Sequence, residues 1–407
     1  MNTTTLRMAW RNLWRHPQRT ILMIAMVAFG SFVILILWGI TDGFLASMTH
    51  SQVAQNQGAF QIRAAGYAED PVPSSGLRLD DLVRVESALA GLRLRATAPR
   101  LEVYGMIRSA YGSDGVTIRG VDPTREPRVT DLQDGLTAGR YLVGPGEVLL
   151  SAQAAGDLDV RVGERVVLLA SGADGTTSQA FRAVGLFSST VTELERVALV
   201  SIDDARALTG WDGVTALAVA LPPGASTSTA VAHARELLAD QPGVEVADYF
   251  GLNPLARLMV QGSTIKMIPF VVLISLLVGF GVANTTFYSV LERTREFGVM
   301  TALGMSRQQL ARMVLVESVF VSAIGFAVGG SIGYGALLYM ARVGLDLTPL
   351  MAGFGAELGI PMVIYASASG LYWLAALSVV VFTALVAAWY PARRANRLEP
   401  VTAIREG

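Results

Sequence analysis

The chain contains no cysteine, one lysine and three histidines among its 407 residues. Without cysteine there is no disulfide framework and no thiolate chemistry. The lone lysine, Lys266, lies in Ser-Thr-Ile-Lys-Met, with no glycine before it. A Walker A loop needs Gly-Lys-Ser/Thr so that the lysine reaches the phosphates, so these residues do not make a P-loop ATPase. His16, His50 and His233 are dispersed, and neither His-Glu-x-x-His nor Gly-x-Ser-x-Gly occurs. The acid pairs Asp80-Asp81 and Asp203-Asp204 stand at predicted helix starts, where carboxylates favour the helix dipole without any catalytic role. Charge is scarce too. Only 16% of residues are Asp, Glu, Lys or Arg, against about 25% in a soluble domain. The basic residues cluster beside apolar runs, which argues against nucleic-acid binding.

What the chain has instead is hydrocarbon: 52% hydrophobic residues and a mean hydropathy of +0.45. Residues 20–41 carry no charge until Asp42 and extend, as a helix, for about 30 Å, enough to cross a bilayer. The pattern predicts four transmembrane helices, at 20–45, 263–291, 313–341 and 370–391. Between the first two, residues 46–262 form a large α+β extracytoplasmic domain ending in a stalk. Its flanks read strand, helix, strand twice, at about 59–110 and 214–249, around a β-rich insertion at about 115–205. Strand-like alternation marks 59–65, 116–121, 147–151, 160–169 and 196–202. Residues 342–369 form an external loop, Pro391 ends the fourth span, and 392–407 form a tail.

Residues 1–19 carry Arg7, Arg11, Arg15 and Arg19 at a spacing of four, one stripe on a helix, with Trp10 and Trp14 beside it. This predicts an interfacial helix with its arginines toward anionic membrane lipid. The segments 1–19, 292–312 and 393–407 hold 12 basic and 4 acidic residues, whereas 46–262 holds 18 basic and 25 acidic. The positive-inside rule places the first three in the cytoplasm and the acidic domain outside. Gly325, Gly329 and Gly333 recur at intervals of four and predict close helix packing in lipid. Glu317, just inside the third span, needs a partner, Arg312 or another cytoplasmic arginine. Ser306 is placed to cap the helix after Gly304.

Three stretches resemble the FtsX-like, or MacB-like, permease family of ABC transporters: Ala-Trp-Arg-Asn-Leu-Trp-Arg-His-Pro-Gln-Arg-Thr at 9–20, Glu-Arg-Thr-Arg-Glu-Phe-Gly-Val-Met-Thr-Ala-Leu-Gly-Met-Ser at 292–306, and Tyr-Pro-Ala-Arg-Arg-Ala-Asn-Arg-Leu-Glu-Pro at 390–400. In layout, and in Ile-Thr-Asp-Gly-Phe-Leu at 40–45, the chain is similar to the lipoprotein-releasing Lol permeases. The resemblance implies a non-catalytic permease subunit in the bacterial inner membrane with a MacB-like periplasmic domain. It also implies ABC ATPase subunits that carry the ATP and Mg, a second permease copy or paralogue, and a periplasmic lipoprotein carrier. Glu292, Arg293, Glu296, Phe297, Gly298, Met300, Leu303 and Arg307 become the ATPase-coupling residues of a cytoplasmic segment at 292–312. Phe32, Ile36, Ile40, Met267, Phe270 and Val271 are candidates to line a cavity for lipid substrate. The expected function is release of lipoproteins from the inner membrane toward the outer membrane. The alternatives are MacB-like export of periplasmic peptides or small molecules and an FtsX-like scaffold signalling to an external partner.

Overall fold

A computed structural model describes residues 3–172, 175–189, 191–346 and 363–395. Helix α1 (Thr3–Leu13) is followed by the 35-residue α2 (Pro17–Ser51), which ends in a π-helical turn (Gln52–Gln57). Then come β1 (Phe60–Ala64), β2 (Leu77–Arg78), α3 (Leu79–Leu89), β3 (Ala96–Arg108), β4 (Ser113–Val121), β5 (Leu136–Gly139), β6 (Glu147–Ser151) and α4 (Ala152–Asp157). Next are β7 (Arg165–Gly172), β8 (Gly175–Phe187), β9 (Val197–Ser201), α5 (Ile202–Thr209), β10 (Gly213–Val214), β11 (Ala216–Ala220), α6 (Thr227–Leu237), β12 (Val244–Asp248) and α7 (Tyr249–Leu252). The rest is α8 (Pro254–Glu292), α9 (Thr294–Ala302), α10 (Arg307–Val343), β13 (Leu345–Asp346), β14 (Val363–Ile364) and α11 (Gly370–Ala395). Two units emerge among the described residues: 47–259, and a helical unit built from those up to 46, 260–346 and 363–395.

In the helical unit, α2, α8, α10 and α11 each contain a stretch long and apolar enough to cross a membrane. Several predicted boundaries move. Residues 3–19 fall in two helices, because Pro17 occupies the first position of α2, where its missing N–H costs nothing, and disfavours helix at His16. Helix α2 continues past 45, and α10 starts at Arg307, set by a capping box in which Ser306 and Gln309 bond each other's backbone N–H. Helix α11 runs through Pro391 to Ala395; the proline removes one helical donor near the helix end, which a span tolerates. The packing glycines all face α2. A Cβ on Gly325 would lie 2.7 Å from the Val27 Cβ, one on Gly329 would overlap the Ala28 carbonyl, and one on Gly333 would sit 3.4 Å from the Phe32 Cα.

In the second unit, the order β12-β1-β11-β3 is a four-stranded antiparallel sheet. Helices α3 and α6 bury one face through Val85, Leu89, Val231 and Ala234 against Phe60, Ile62, Leu217 and Val219. Strand β3 then outruns that sheet. Its second half pairs with β4 on one side and with β7 on the other, and the ladder β3-β4-β9-β6-β8-β7-β3 closes on itself. The β-rich insertion is therefore a six-stranded barrel, with β5 added outside on β8. Its interior is apolar, including Ile107, Ile118, Val148, Leu168 and Phe181, with Ala205 and Leu208 of α5. The strand expected at 160–169 starts only at Arg165, because the backbone turns at Asp159 and Gly163, where φ is 48° and 99°. Ser151, Ser201, Ser226 and Asp248 cap α4, α5, α6 and α7. Asp203 and Asp204 lie in the first turn of α5, but the cap itself is Ser201, and Asp204 instead accepts from Gly146 N at 2.9 Å.

Glu147, at the start of β6, accepts from Arg140 Nη1 at 2.9 Å and from Val143 N at 3.0 Å. The Arg140 hydrogen bonds hold its carboxyl down at about 2. A depressed acid stabilises the fold at pH above its ordinary value of 4.5 and loses that contribution as pH falls toward 2. Acid titration of thermal stability should show this loss in the native protein, and Glu147→Gln should flatten it. An unchanged acid profile would refute the assignment.

Candidate coupling site

The segment joining α8 to α10 folds onto the helical unit itself. Gly304, at φ 98°, makes the left-handed turn between α9 and α10 that only glycine adopts readily. Phe297 packs with Ala9 of α1, Val290 of α8, Leu310 and Met313 of α10, and Ala392 of α11. Five helices thus meet in one small core, and α1 belongs to it: Ala9 and Leu13 are buried.

Charge ties these helices together. Arg15 pairs with Glu296 at 2.5 Å, and Arg19 grips both carboxylate oxygens of Glu292. Arg293 pairs with Glu296 at 3.2 Å and with Glu317 at 3.4 Å, and stacks 5.2 Å from the Phe297 ring centroid. Asn12 Nδ2 donates to Glu317 Oε1 at 2.9 Å. The arginine that pairs with Glu317 is therefore Arg293 and not Arg312, with Asn12 beside it. Arg15 and Arg19, expected to face lipid, are spent on glutamates; Arg7 and Arg11 stay exposed.

This arrangement corrects part of the expected docking surface. Arg293, Phe297 and Gly298 are buried within the unit, because the ion pair to Glu317 and the apolar core draw them inward. Met300 is half-buried against the same core. Glu292 and Glu296 are partly exposed but engaged by arginines, and Leu303 is 83% exposed. The Arg307 side chain lies outside the described residues. A cleft of about 510 Å³ opens here, lined among others by Met8, Asn12, Arg295, Glu296, Val299 and Met300. The contributions of α1 and of Val299 escaped the sequence reading. One signal was there: Arg15 and Arg19 are four apart, as are Glu292 and Glu296, so two helical stripes match.

The lipid-cavity residues do not come together. Phe32 backs onto Gly333, Ile36 packs into the helical core, Ile40 is half-buried, and Met267 lies 3.8 Å from Thr41 Oγ1. Phe270 is exposed. The first-span face is occupied by its neighbours because small residues on α10 let it approach. Val271 lines an apolar cleft of about 520 Å³ between α8 and α11 that includes Leu276, Phe280, Phe382 and Val386.

Among the described residues no group of acids and histidines could hold a metal ion. Four membrane-crossing helices with a large domain inserted after the first define a multi-pass membrane protein with a periplasmic domain, of the ABC permease class. A model described as MacB-like periplasmic core domain matches residues 20–237, and one described as FtsX-like permease C-terminal matches 268–400. The chain belongs to this MacB-like, FtsX-like family of ABC transporter permeases.

The macrolide export ATP-binding/permease protein MacB of Hyphomonas neptunium is 28% identical over 98% of this chain, which spans 60% of that protein's length. The lipoprotein-releasing system transmembrane protein LolC of Neisseria meningitidis is 24% identical over 95% of this chain and 94% of its own. The solved periplasmic region of MacB from Actinobacillus actinomycetemcomitans covers 52% of this chain and is itself covered to 94%, at 13% identity and a TM-score of 0.37, too distant to bear on the argument.

Proposed function

We propose that this chain is a mechanical subunit in the inner membrane. Nucleotide-driven motion of ABC ATPase subunits, which hold the ATP and Mg, enters through α9 and α1 and reaches the periplasmic domain. The chain itself binds no cofactor. The cargo is a lipid-anchored protein, released from the outer leaflet to a periplasmic carrier, with a second permease copy or paralogue completing the transporter. The observation that carries the cargo assignment is the cleft between α8 and α11, which no charged residue lines. Such a surface suits acyl chains, which gain nothing from polar contacts. Export of a small molecule is the second reading, favoured by relatives named for macrolide and pyoverdine export.

Affinity purification of the tagged, detergent-solubilised protein from its native membrane, with mass spectrometry of proteins and lipids, tests the assignment. An ATPase together with triacylated lipoproteins is the expected result. An ATPase with an adaptor and no lipoprotein would replace release by export, and no ATPase would remove the mechanism. The docking surface has its own test. Leu303→Glu should reduce ATPase co-purification at least tenfold without lowering thermal stability, since Leu303 is exposed. Glu296→Lys should reduce it too, but with some loss of stability, because it repels Arg15 and Arg293. Undiminished co-purification of both variants would sink the docking assignment.

A further inference from the structure

The π-helical turn Gln52–Gln57 is where the helix leaving the membrane unit ends, and its fastenings are unusual. The last carbonyls of a helix are commonly satisfied locally, by a cap or by water. Here distant parts of the domain reach in. Asp131 N donates to Ala54 O at 2.8 Å, Ser189 Oγ to Gln55 Oε1 at 2.7 Å, and Gln52 Nε2 to Glu193 at 2.7 Å. Arg100 Nη1 donates to Asn56 O, and Arg119 Nη2 to Asn56 Oδ1 at 2.8 Å. Both arginines are buried and held from behind, Arg100 by Glu126 and Arg119 by Glu102. Helix α7, which leads the chain back toward α8, packs on the same turn.

The identity of the anchoring strands gives this cluster its meaning. Arg100 lies on β3 at the point where that strand passes from the four-stranded sheet into the barrel, paired with Ala216 of β11 on one side and Val121 of β4 on the other. Arg119 lies on β4, a barrel strand. Ser189 and Glu193 follow and precede barrel strands β8 and β9. One turn of helix is thus bonded to both parts of the domain. A π turn carries one residue more than an α turn would, and such turns cluster at functional positions in helices.

We propose that Asn56, Arg100 and Arg119 are positioning residues of a transmission joint: they fix the π turn to the strand shared by sheet and barrel, so that displacement of the helix end is delivered to both at once. This rests on the mechanical reading above but not on the identity of the cargo. A merely structural anchor predicts that weakening the joint lowers stability in proportion. A transmission joint predicts, in addition, lost coupling in a domain that still folds.

The test uses the permease co-purified with its ATPase, with spin labels on Asp157→Cys in the barrel and Arg257→Cys in α8, both exposed positions in a chain without cysteines of its own. Label distances are compared without nucleotide and with ATP, Mg and vanadate. The native joint should give a nucleotide-dependent shift. Asn56→Ala should cut it at least threefold in a domain that still folds, with ATP hydrolysis unchanged, and Asn56→Asp, which keeps an acceptor for Arg119, should restore it. If Asn56→Ala misfolds, Ser189→Ala removes the bond to Gln55 together with a local bond from Val191 N, and should halve the shift. A full shift in the folded alanine variants overturns the joint alone. No shift in the native protein overturns the mechanical reading together with it.

Discussion

Glu126→Gln should lower the melting temperature of the full-length protein by roughly 6–20 °C. The carboxylate is 2% exposed and its partner Arg100 is fully buried. Arg100 Nε and Nη2 donate to the two carboxylate oxygens at 3.1 and 2.5 Å, and Thr130 Oγ1 adds a bond at 3.2 Å. Guanidinium does not deprotonate in proteins, so glutamine leaves a buried, uncompensated cation. Breaking a buried pair from one side costs about 3–5 kcal/mol, and in a domain of this size each kcal/mol moves the midpoint by about 2–4 °C. Replacing both residues, Arg100→Met with Glu126→Leu, should recover much of the loss, since the desolvation cost disappears with the charges. Thermal unfolding in detergent, followed by circular dichroism, measures both. A single-variant drop below 2 °C would refute the burial argument, and a double variant no better than the single would refute the charge argument.

Gly329→Leu is the second large effect, expected to cost about 3 kcal/mol or more and to loosen α10 from α2. Side chains added to a packed site cost about 1–3 kcal/mol when neighbours can adjust. Here the neighbour is the Ala28 backbone, which cannot rotate away. Lipid supplies no hydrophobic force to hold displaced helices together, so close packing carries the association. Gly335, on the same helix, has no atom within 4 Å of a built Cβ. Gly335→Leu is therefore the control and should leave thermal stability within about 0.5 kcal/mol of the native value. Equal behaviour of the two variants would remove the packing role.

What the sequence made legible follows period and punctuation. The two strand-helix-strand flanks appear as β1-α3-β3 and β11-α6-β12, because alternation and helical periodicity are local signals. Ser306 before Arg307 announced its cap for the same reason. Closure of the barrel was not legible. It depends on β4 pairing in parallel with β9, and β3 with β7, across many intervening residues, and alternation says which residues face inward without saying which strands are neighbours. The coupling segment shows a second limit. Its amphipathic pattern identifies an apolar face but cannot say whether that face meets a partner or its own spans. Phe297 and Arg293 turn inward because Ala9, Leu310 and Glu317 wait there, residues far apart along the chain.

Closure of the barrel bears on crowding. Copies of a membrane protein are confined to a plane, where their outer domains collide edge-on far more often than free molecules would. Unpaired strand edges are templates for unwanted association. Among the described residues the pairing order of the ten-stranded assembly ends at β12 and β5, which have just five and four residues. Most of the barrel backbone is paired on both sides, the first half of β8 (Gly175–Phe181), which pairs only with β7, being the exception, so the described β-structure can jostle its neighbours while offering them little backbone to grasp.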